Sequence, residues 1–175
     1  LFATRNGMVK KTRLSEYKNL RRAGIRAIVI AEDDDLIDVK LTDGGQEVML
    51  ISSHGMVCRF AEAGARPLGR VTKGVIGIRL GRDNDDVVAW CVAEKGADLL
   101  IVTRGRMGKR SNIGTGIAVQ DKETGGYRLT KRGGKGVTGI KLKDDDRVTA
   151  GLLVEQGDEI MMTTVSGQMV RISTN

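Results

Sequence analysis

A glycine-centred basic motif recurs three times along this chain of 175 residues, and each copy leads into a stretch of alternating apolar residues. The copies cover residues 20–25, 70–75 and 131–136, and we call them the first, second and third basic boxes. Their glycines Gly24, Gly74 and Gly136 lie 50 and 62 residues apart. Spacing in this range is typical of repeat architectures, so we predict an array of similar units.

Hairpins recur in a fixed place before each box and after the last one. The tip of the first is Asn6-Gly7, the strongest two-residue hairpin signal, and similar tips follow at 54–55, 104–105 and 166–167. His54, the only histidine, is predicted to be a turn residue in a left-handed conformation. Each hairpin ends in a cation: Lys11, Arg59, Arg110 and Arg171.

The remaining elements of the unit also indicate strands. Each box runs into an alternating stretch, the first being 25–30, and an acidic turn follows at 33–35, 83–86 and 144–146. Another strand then leads to an apolar strand that opens with an acid (Glu47, Asp98, Glu159). Period-two alternation between turn residues predicts about four short strands per unit.

The predicted fold is therefore all-β, a single domain over 1–175 built as a propeller-like array of four-stranded blades. The units are expected at about 1–45, 46–96 and 97–157, with the opening hairpin of a fourth at 158–175, which makes a partial ring of about three and a half blades. Neighbouring units must supply each other's core. The third unit carries an insertion at 112–128, which is either a solvated loop or an extra contact beside the third box.

A net charge of +7 favours a nucleic acid or another acidic surface as the partner. The five aromatic residues are too few and too scattered to build the stacking platform of a single-strand binder. No helix suited to the major groove is apparent. Basic turns beside glycines fit duplex phosphates best. We predict the following contacts: Lys10, Lys11, Arg21, Arg22, Arg26, Arg59, Arg70, Lys73, Arg79, Lys109, Arg110, Arg128, Lys131, Arg132, Gly133, Gly134, Lys135, Gly136, Lys141 and Arg171.

Several other sites are disfavoured by the sequence. Residues 134–139 match a dinucleotide fingerprint, but an alternating β pattern follows where that motif needs a helix. No convincing Ser-His-Asp set surrounds His54, and no catalytic or metal-binding residue is predicted, although clustered carboxylates leave a divalent-ion site open. Cys58 and Cys91 are expected to be buried, reduced thiols. No apolar run is long enough to suggest a membrane span.

With the repeats aligned, the chain resembles the C-terminal domain of the A subunit of bacterial DNA gyrase, or of the related subunit of topoisomerase IV. The resemblance covers essentially all 175 residues, and it rests on the stretches 6–12, 14–17, 47–50 and 72–80. It implies a β-pinwheel, in which blades exchange strands and duplex DNA wraps around a basic outer edge. The third box is close to the family's supercoiling box, with Thr130 and Lys131 at its first two positions.

The resemblance also implies a role within a larger enzyme. By repeat order the chain begins at about the third of the family's six blades, so the third box is expected to be a secondary copy in a piece of a longer protein. The piece itself would be non-catalytic. ATP and Mg²⁺ would serve the rest of an A2B2 ATP-dependent type IIA topoisomerase, in which the B subunit carries the ATPase. A cytoplasmic, nucleoid-associated location follows from that role.

Two other classes of propeller protein are possible alternatives. The first is a propeller that serves only as a protein-interaction scaffold, and this alternative stays open. A propeller hydrolase would need a channel of convergent polar residues, and no such set repeats along this sequence.

Overall fold

The computed structural model describes residues 1–94, 96–115 and 126–175, which form β-strands and two short 3-10 helices. The helices are Leu14–Tyr17 and Glu62–Gly64. The strands, in chain order, are β1 Phe2–Thr4, β2 Met8–Lys10, β3 Leu36–Val39, β4 Glu47–Ser52, β5 Met56–Ala61, β6 Val75–Ile76, β7 Val87–Val92, β8 Asp98–Thr103, β9 Gly108–Asn112, β10 Leu129–Thr130, β11 Val137–Thr138, β12 Val148–Val154, β13 Glu159–Thr163 and β14 Met169–Ser173.

Strands are exchanged between consecutive repeats. The first sheet has the order β3-β1-β2-β6, and β6 comes from the second repeat, where it begins at the last residue of the second box. The second sheet has the order β10-β5-β4-β7, with β11 also paired to β5, and both β10 and β11 come from the third repeat. A third sheet, β12-β8-β9, and a β13-β14 hairpin complete the described strands. This exchange confirms the all-β pinwheel that the sequence predicts.

The stretch at 25–30 departs from the prediction, because it forms no strand. The equivalent stretches become β6 and β11 by pairing with the hairpin of the preceding repeat. The described residues give this stretch no hairpin partner, and its Val29 amide donates instead to the Thr72 carbonyl. Alternation alone therefore does not make a strand without an edge to join.

The hairpin loops are one residue longer than the Asn6-Gly7 signal predicts. Thr4 and Met8 close a loop of three residues, with Gly7 at φ 82°. This is a type I turn followed by a left-handed glycine. In the second hairpin His54 lies in the turn, as predicted, but the left-handed position is taken by Gly55, at φ 83°, and not by His54.

Two apolar clusters lie between successive sheets, and β4 contributes to both. Val48 and Leu50 pack towards the first sheet, while Met49 and Ile51 pack towards the third. Successive side chains of a strand point to opposite faces, so a strand between two neighbouring sheets is buried on both faces. This explains why residues 48–51 are apolar without alternation.

The clusters also contain both cysteines, which are free and buried as predicted. Burial raises the pKa of Cys58, and it raises the pKa of Cys91 to about 12. The aromatic rings Phe2, Phe60, Trp90 and Tyr127 are also buried, which agrees with the prediction that they form no exposed stacking platform.

Candidate nucleic-acid interface

The three basic boxes lie side by side through backbone hydrogen bonds. Next to the first box, the Val29 amide donates to the carbonyl of Thr72 in the second box (3.0 Å). The segment after the second box meets the third box in the same way: the Gly133 amide donates to the Gly77 carbonyl (2.7 Å), and the Arg79 amide donates to the Gly134 carbonyl (2.9 Å). The boxes therefore form one connected surface at the sheet edges.

The box glycines allow this surface to pack closely on the preceding hairpins. Gly74 and Gly136 have φ values of 91° and 76°. A Cβ atom at either position would lie 2.5 Å from a backbone oxygen, that of Val9 for Gly74 and that of Val57 for Gly136. The glycine in each of these two boxes is therefore needed for the strand exchange itself. The Gly133 amide is bonded to Gly77, so it does not donate to a phosphate from this position.

Most of the predicted contact residues in or beside the boxes are exposed. Within the described ranges, these exposed side chains make no hydrogen bond or ion pair with the rest of the chain. They are Arg21, Arg22, Arg26, Lys73, Arg79, Arg128, Lys131, Lys135 and Lys141.

Arg132 is instead bound to its neighbours. Its guanidinium donates to the carbonyls of Gly64 (3.1 Å) and Ile76 (2.5 Å) in the second repeat. Both carbonyls belong to residues that come before Gly77 in the chain, and the Gly77 carbonyl accepts from the Gly133 amide. Arg132 therefore holds the third box against the second repeat, while Lys131 and Lys135 on either side stay exposed.

Two predicted contact residues are interior. Lys10 is fully buried, and its ammonium donates to the carbonyls of Ala27 (2.5 Å) and Arg70. Burial, and then the nearby charge of Arg70, lower the pKa of Lys10. Neither Lys10 nor Arg59, whose side chain is 5% exposed, can reach a duplex from these positions, so we omit both from the proposed surface.

Arg59 is a clamp between the second and third repeats. It forms two contacts of 2.6 Å with Glu47 and donates to the carbonyls of Ile113 (2.6 Å), Gly114 (3.0 Å) and Tyr127 (3.1 Å). The Tyr127 amide in turn donates to the Ile113 carbonyl (3.0 Å). Arg59 therefore fixes both ends of the insertion predicted at 112–128. Residues 116–125 of that insertion lie outside the described part of the chain.

The other hairpin cations repeat this arrangement. Lys11 donates to the Glu62 carbonyl (3.2 Å) and lies 3.5 Å from the buried Glu62 carboxylate. Arg110 pairs with Asp98 (2.6 Å) and donates to the Thr174 carbonyl. Arg171 pairs with Glu159. In the first three hairpins the cation at this position therefore contacts the next repeat, whereas Arg171 pairs within its own hairpin. Because all of them are engaged, we remove Lys11, Arg110 and Arg171 from the proposed surface as well.

Lys109, beside this series, is exposed but donates to the Gly139 carbonyl (2.7 Å), so it too is engaged within the fold.

The acidic turns lie against the hairpin tips. Asp34 accepts from the Asn6 amide (2.8 Å), Asp85 accepts from the His54 amide (3.1 Å), and Asp146 accepts from the Gly105 amide (2.7 Å). The turns precede β3, β7 and β12, and β3 and β7 form the sheet edges opposite the box strands. The carboxylates therefore cap turns on the far side of the sheets from the boxes.

Ser53, His54 and Asp85 do come together, but not as a catalytic set. Asp85 accepts from the Ser53 hydroxyl (3.1 Å) and lies 3.0 Å from Nδ1 of His54. The Ser53 oxygen also lies on the Nδ1 side of the ring, 3.5 Å from that nitrogen. A hydrolytic triad needs the serine at the opposite ring nitrogen, so this cluster is a hairpin cap. The described residues hold no cluster of ligands suited to a metal ion.

Three exposed cations near the boxes are missing from the predicted contacts: Arg13, Lys18 and Arg66. Arg13 and Lys18 flank the 3-10 helix before the first box, and Arg66 follows the one before the second box. Their position ahead of a box, at matching places in two repeats, is the signal that identifies them.

Comparison with known proteins agrees with this architecture. The family model described as "DNA gyrase C-terminal domain, beta-propeller" matches residues 1–43, 46–90 and 124–155. The chain belongs to the DNA gyrase C-terminal domain family. The A subunit of Escherichia coli strain K12 DNA gyrase is 41% identical over 170 residues, which is 97% of this chain and 18% of that protein. Its Helicobacter pylori counterpart is 37% identical over 175 residues, or 98% and 20%. The chain thus spans about a fifth of the length of these gyrase proteins.

Solved structures of the gyrase family and its relatives have the same fold. The C-terminal domain of DNA topoisomerase IV superimposes with a TM-score of 0.86 at 28% identity, covering 99% of this chain and 51% of that one. The DNA gyrase A C-terminal domain gives 0.80 at 25% identity, covering 98% and 54%. Among the described residues of this family member, no helix is long and apolar enough to cross a membrane.

Proposed function

We propose that this chain binds duplex DNA along the three basic boxes, as part of the C-terminal domain of a gyrase A protein. The observation that carries this proposal is the connected surface itself. Exposed cations from three repeats lie on segments that hydrogen-bond to one another, whereas the cations of the hairpins are engaged within the fold. A duplex is a polyanion with regularly spaced charge, which matches cations placed at the same position of every repeat.

The chain would contribute binding and bending rather than chemistry. Smooth bending of 20–30 bp through 40–90° costs about 1–6 kcal/mol, and contacts to phosphates on successive boxes offset that cost through counterion release. Wrapping of one hand would present a neighbouring segment for strand passage, and so support negative supercoiling. DNA cleavage and ATP hydrolysis would belong to the rest of an A2B2 enzyme, whose B subunit supplies the ATPase. That assembly would act on the bacterial nucleoid, in the cytoplasm.

The second candidate is the equivalent domain of topoisomerase IV, which the TM-score of 0.86 favours. In that enzyme the surface would select DNA geometry. A topology assay separates the two candidates: nicked circular DNA is sealed by ligase with the chain bound, and the linking number is then read on a gel. Wrapping of constant hand shifts the linking number, whereas binding without wrapping leaves it unchanged.

Binding itself is tested with the variant Lys131→Ala/Lys135→Ala. The matched control is Arg82→Ala/Lys143→Ala, which removes the same charge from exposed positions at the acidic turns. If each box lysine contacts one phosphate, the slope of log K against log salt for a 40-bp duplex falls by about 1.8, at about 0.9 per contact. The control keeps the wild-type slope. Equal slopes for both variants would refute the proposed surface, and salt-insensitive binding would favour a protein scaffold.

A further inference from the structure

An open pocket of 430 Å³ lies at the junction of the first two boxes. Its lining includes Arg21, Gly24, Arg26 and Arg70. Three arginines therefore border one open space, and no acidic residue is among its described lining residues. A group of like charges without a counterion favours the binding of an anion.

Hydrogen bonds hold the two segments that line the pocket together. The buried ammonium of Lys10 donates to the Ala27 carbonyl, next to Arg26, and to the Arg70 carbonyl. The Val29 amide also donates to the Thr72 carbonyl, which joins the same two segments. The arginines therefore lie on two segments that are hydrogen-bonded to each other. The buried Lys10 ammonium also adds positive charge near the pocket.

The equivalent junction between the second and third boxes shows what is different here. Arg132 occupies the place of Arg70 in the next repeat, and its guanidinium is bonded to the carbonyls of Gly64 and Ile76. Arg70 makes no side-chain hydrogen bond with any residue that the structure describes. Its donors therefore remain available to a ligand, although the residue is half-buried.

We propose that this pocket binds one backbone phosphate of the DNA duplex, held by the guanidinium groups of Arg26 and Arg70. This inference rests on the proposed function, and it adds a phosphate site between two boxes to the cations on them. Guanidinium groups suit the site because their planar donors bind phosphate oxygens in pairs.

The test uses the whole chain as Arg26→Ala/Arg70→Ala, beside wild type and the Arg82→Ala/Lys143→Ala control. Inorganic phosphate is titrated first, with the Gly24 amide and arginine side-chain NMR signals as the readout. Phosphate is expected to shift these signals in wild type and in the control, and to leave them unmoved in the pocket variant. Circular dichroism and thermal melting verify that each variant is folded.

The second arm measures affinity for a 40-bp duplex at several salt concentrations. Loss of one doubly bonded phosphate is expected to weaken binding at least about tenfold and to lower the salt slope by about 0.9. Lost phosphate shifts with unchanged duplex binding would make the pocket a site for free phosphate and overturn its assignment to DNA. Unchanged results in both arms would overturn the site altogether.

Failure of this inference remains distinct from failure of the proposed function. If Lys131→Ala/Lys135→Ala lowers the duplex affinity and salt slope while the pocket variant does not, the box surface stands and the pocket does not. If neither variant differs from the matched control, both proposals are refuted.

Discussion

Replacing Arg59 by alanine tests whether the hairpin cations serve the fold or the DNA. The sequence predicts a DNA contact, whereas the structure buries the guanidinium against Glu47 and three backbone carbonyls of the next repeat. The two interpretations make opposite predictions. If Arg59 is a clamp, Arg59→Ala lowers stability and leaves the DNA affinity unchanged. If Arg59 contacts a phosphate, the variant lowers the DNA affinity and leaves stability unchanged.

The size of the stability loss follows from the contacts. Removing one partner of a buried ion pair costs about 3–5 kcal/mol, because the remaining charge loses its counterion. The Glu47 side chain keeps 29% exposure, which lowers this cost, but the carbonyls of Ile113, Gly114 and Tyr127 also lose their donor. We expect a loss of about 3–5 kcal/mol. At about 2–4 °C per kcal/mol for a chain of this size, Tm falls by about 6–20 °C.

The assay is urea unfolding followed by Trp90 fluorescence, since Trp90 is the only tryptophan and lies buried beside β4. Arg110→Ala is the matched control: it holds the same place in the next repeat, but its side chain is 36% exposed. Water can replace its contacts, so about 1 kcal/mol or less is expected. Duplex affinity is then measured on folded Arg59→Ala at low temperature. Wild-type stability combined with weakened DNA binding would refute the clamp.

Two further predictions concern the glycines and the thiols. Gly136→Ala should destabilise the protein by at least about 1–3 kcal/mol, because the φ of Gly136 is positive and a Cβ there would meet the Val57 oxygen. The control Gly81→Ala places its Cβ in open space, so urea unfolding should show a nearly unchanged stability. The raised pKa of Cys91 keeps it protonated in the folded state. The neutral Cys91 thiol therefore contributes its full stability below about pH 8.5. Above that pH the unfolded chain ionises first, so the free energy of unfolding falls by up to about 1.4 kcal/mol per pH unit until the folded pKa of about 12. Cys91→Ala should show a shallower alkaline decline than wild type, and equal profiles would contradict this account.

The sheet architecture could be predicted from the sequence because its signals are local. Alternation, turn glycines and the repeat spacing are properties of neighbouring residues, and they identify β1 with β2 and β4 with β5 as hairpins. The 25–30 stretch shows the limit of such signals. It carries the same alternation as the segments that form β6 and β11, but a strand also needs an edge to pair with, and that edge belongs to another repeat.

The roles of the cations were harder to predict, because charge alone does not reveal burial. Lys10 and Lys11 are adjacent in sequence, yet the structure engages them with different segments, the ammonium of Lys10 with Ala27 and Arg70 and that of Lys11 with Glu62. These partners are 17 to 60 residues away. No local pattern specifies such contacts, whereas the exposure of most box cations could be predicted, because exposure is the default state of a lysine or arginine on a turn.

One sequence signal does separate clamp from surface once the register is known. Arg59, Arg110 and Arg171 each follow an acid by twelve residues: Glu47, Asp98 and Glu159. The acid opens one strand of a hairpin and the arginine lies near the end of the other, so antiparallel pairing brings the two charges together. The box lysines Lys73 and Lys131 follow Ala61 and Val119 at that spacing, but Lys135 follows Glu123, so the spacing identifies a clamp only together with the hairpin register. Each paired arginine therefore has an acidic partner within its own hairpin, whereas the exposed box cations have none among the described residues.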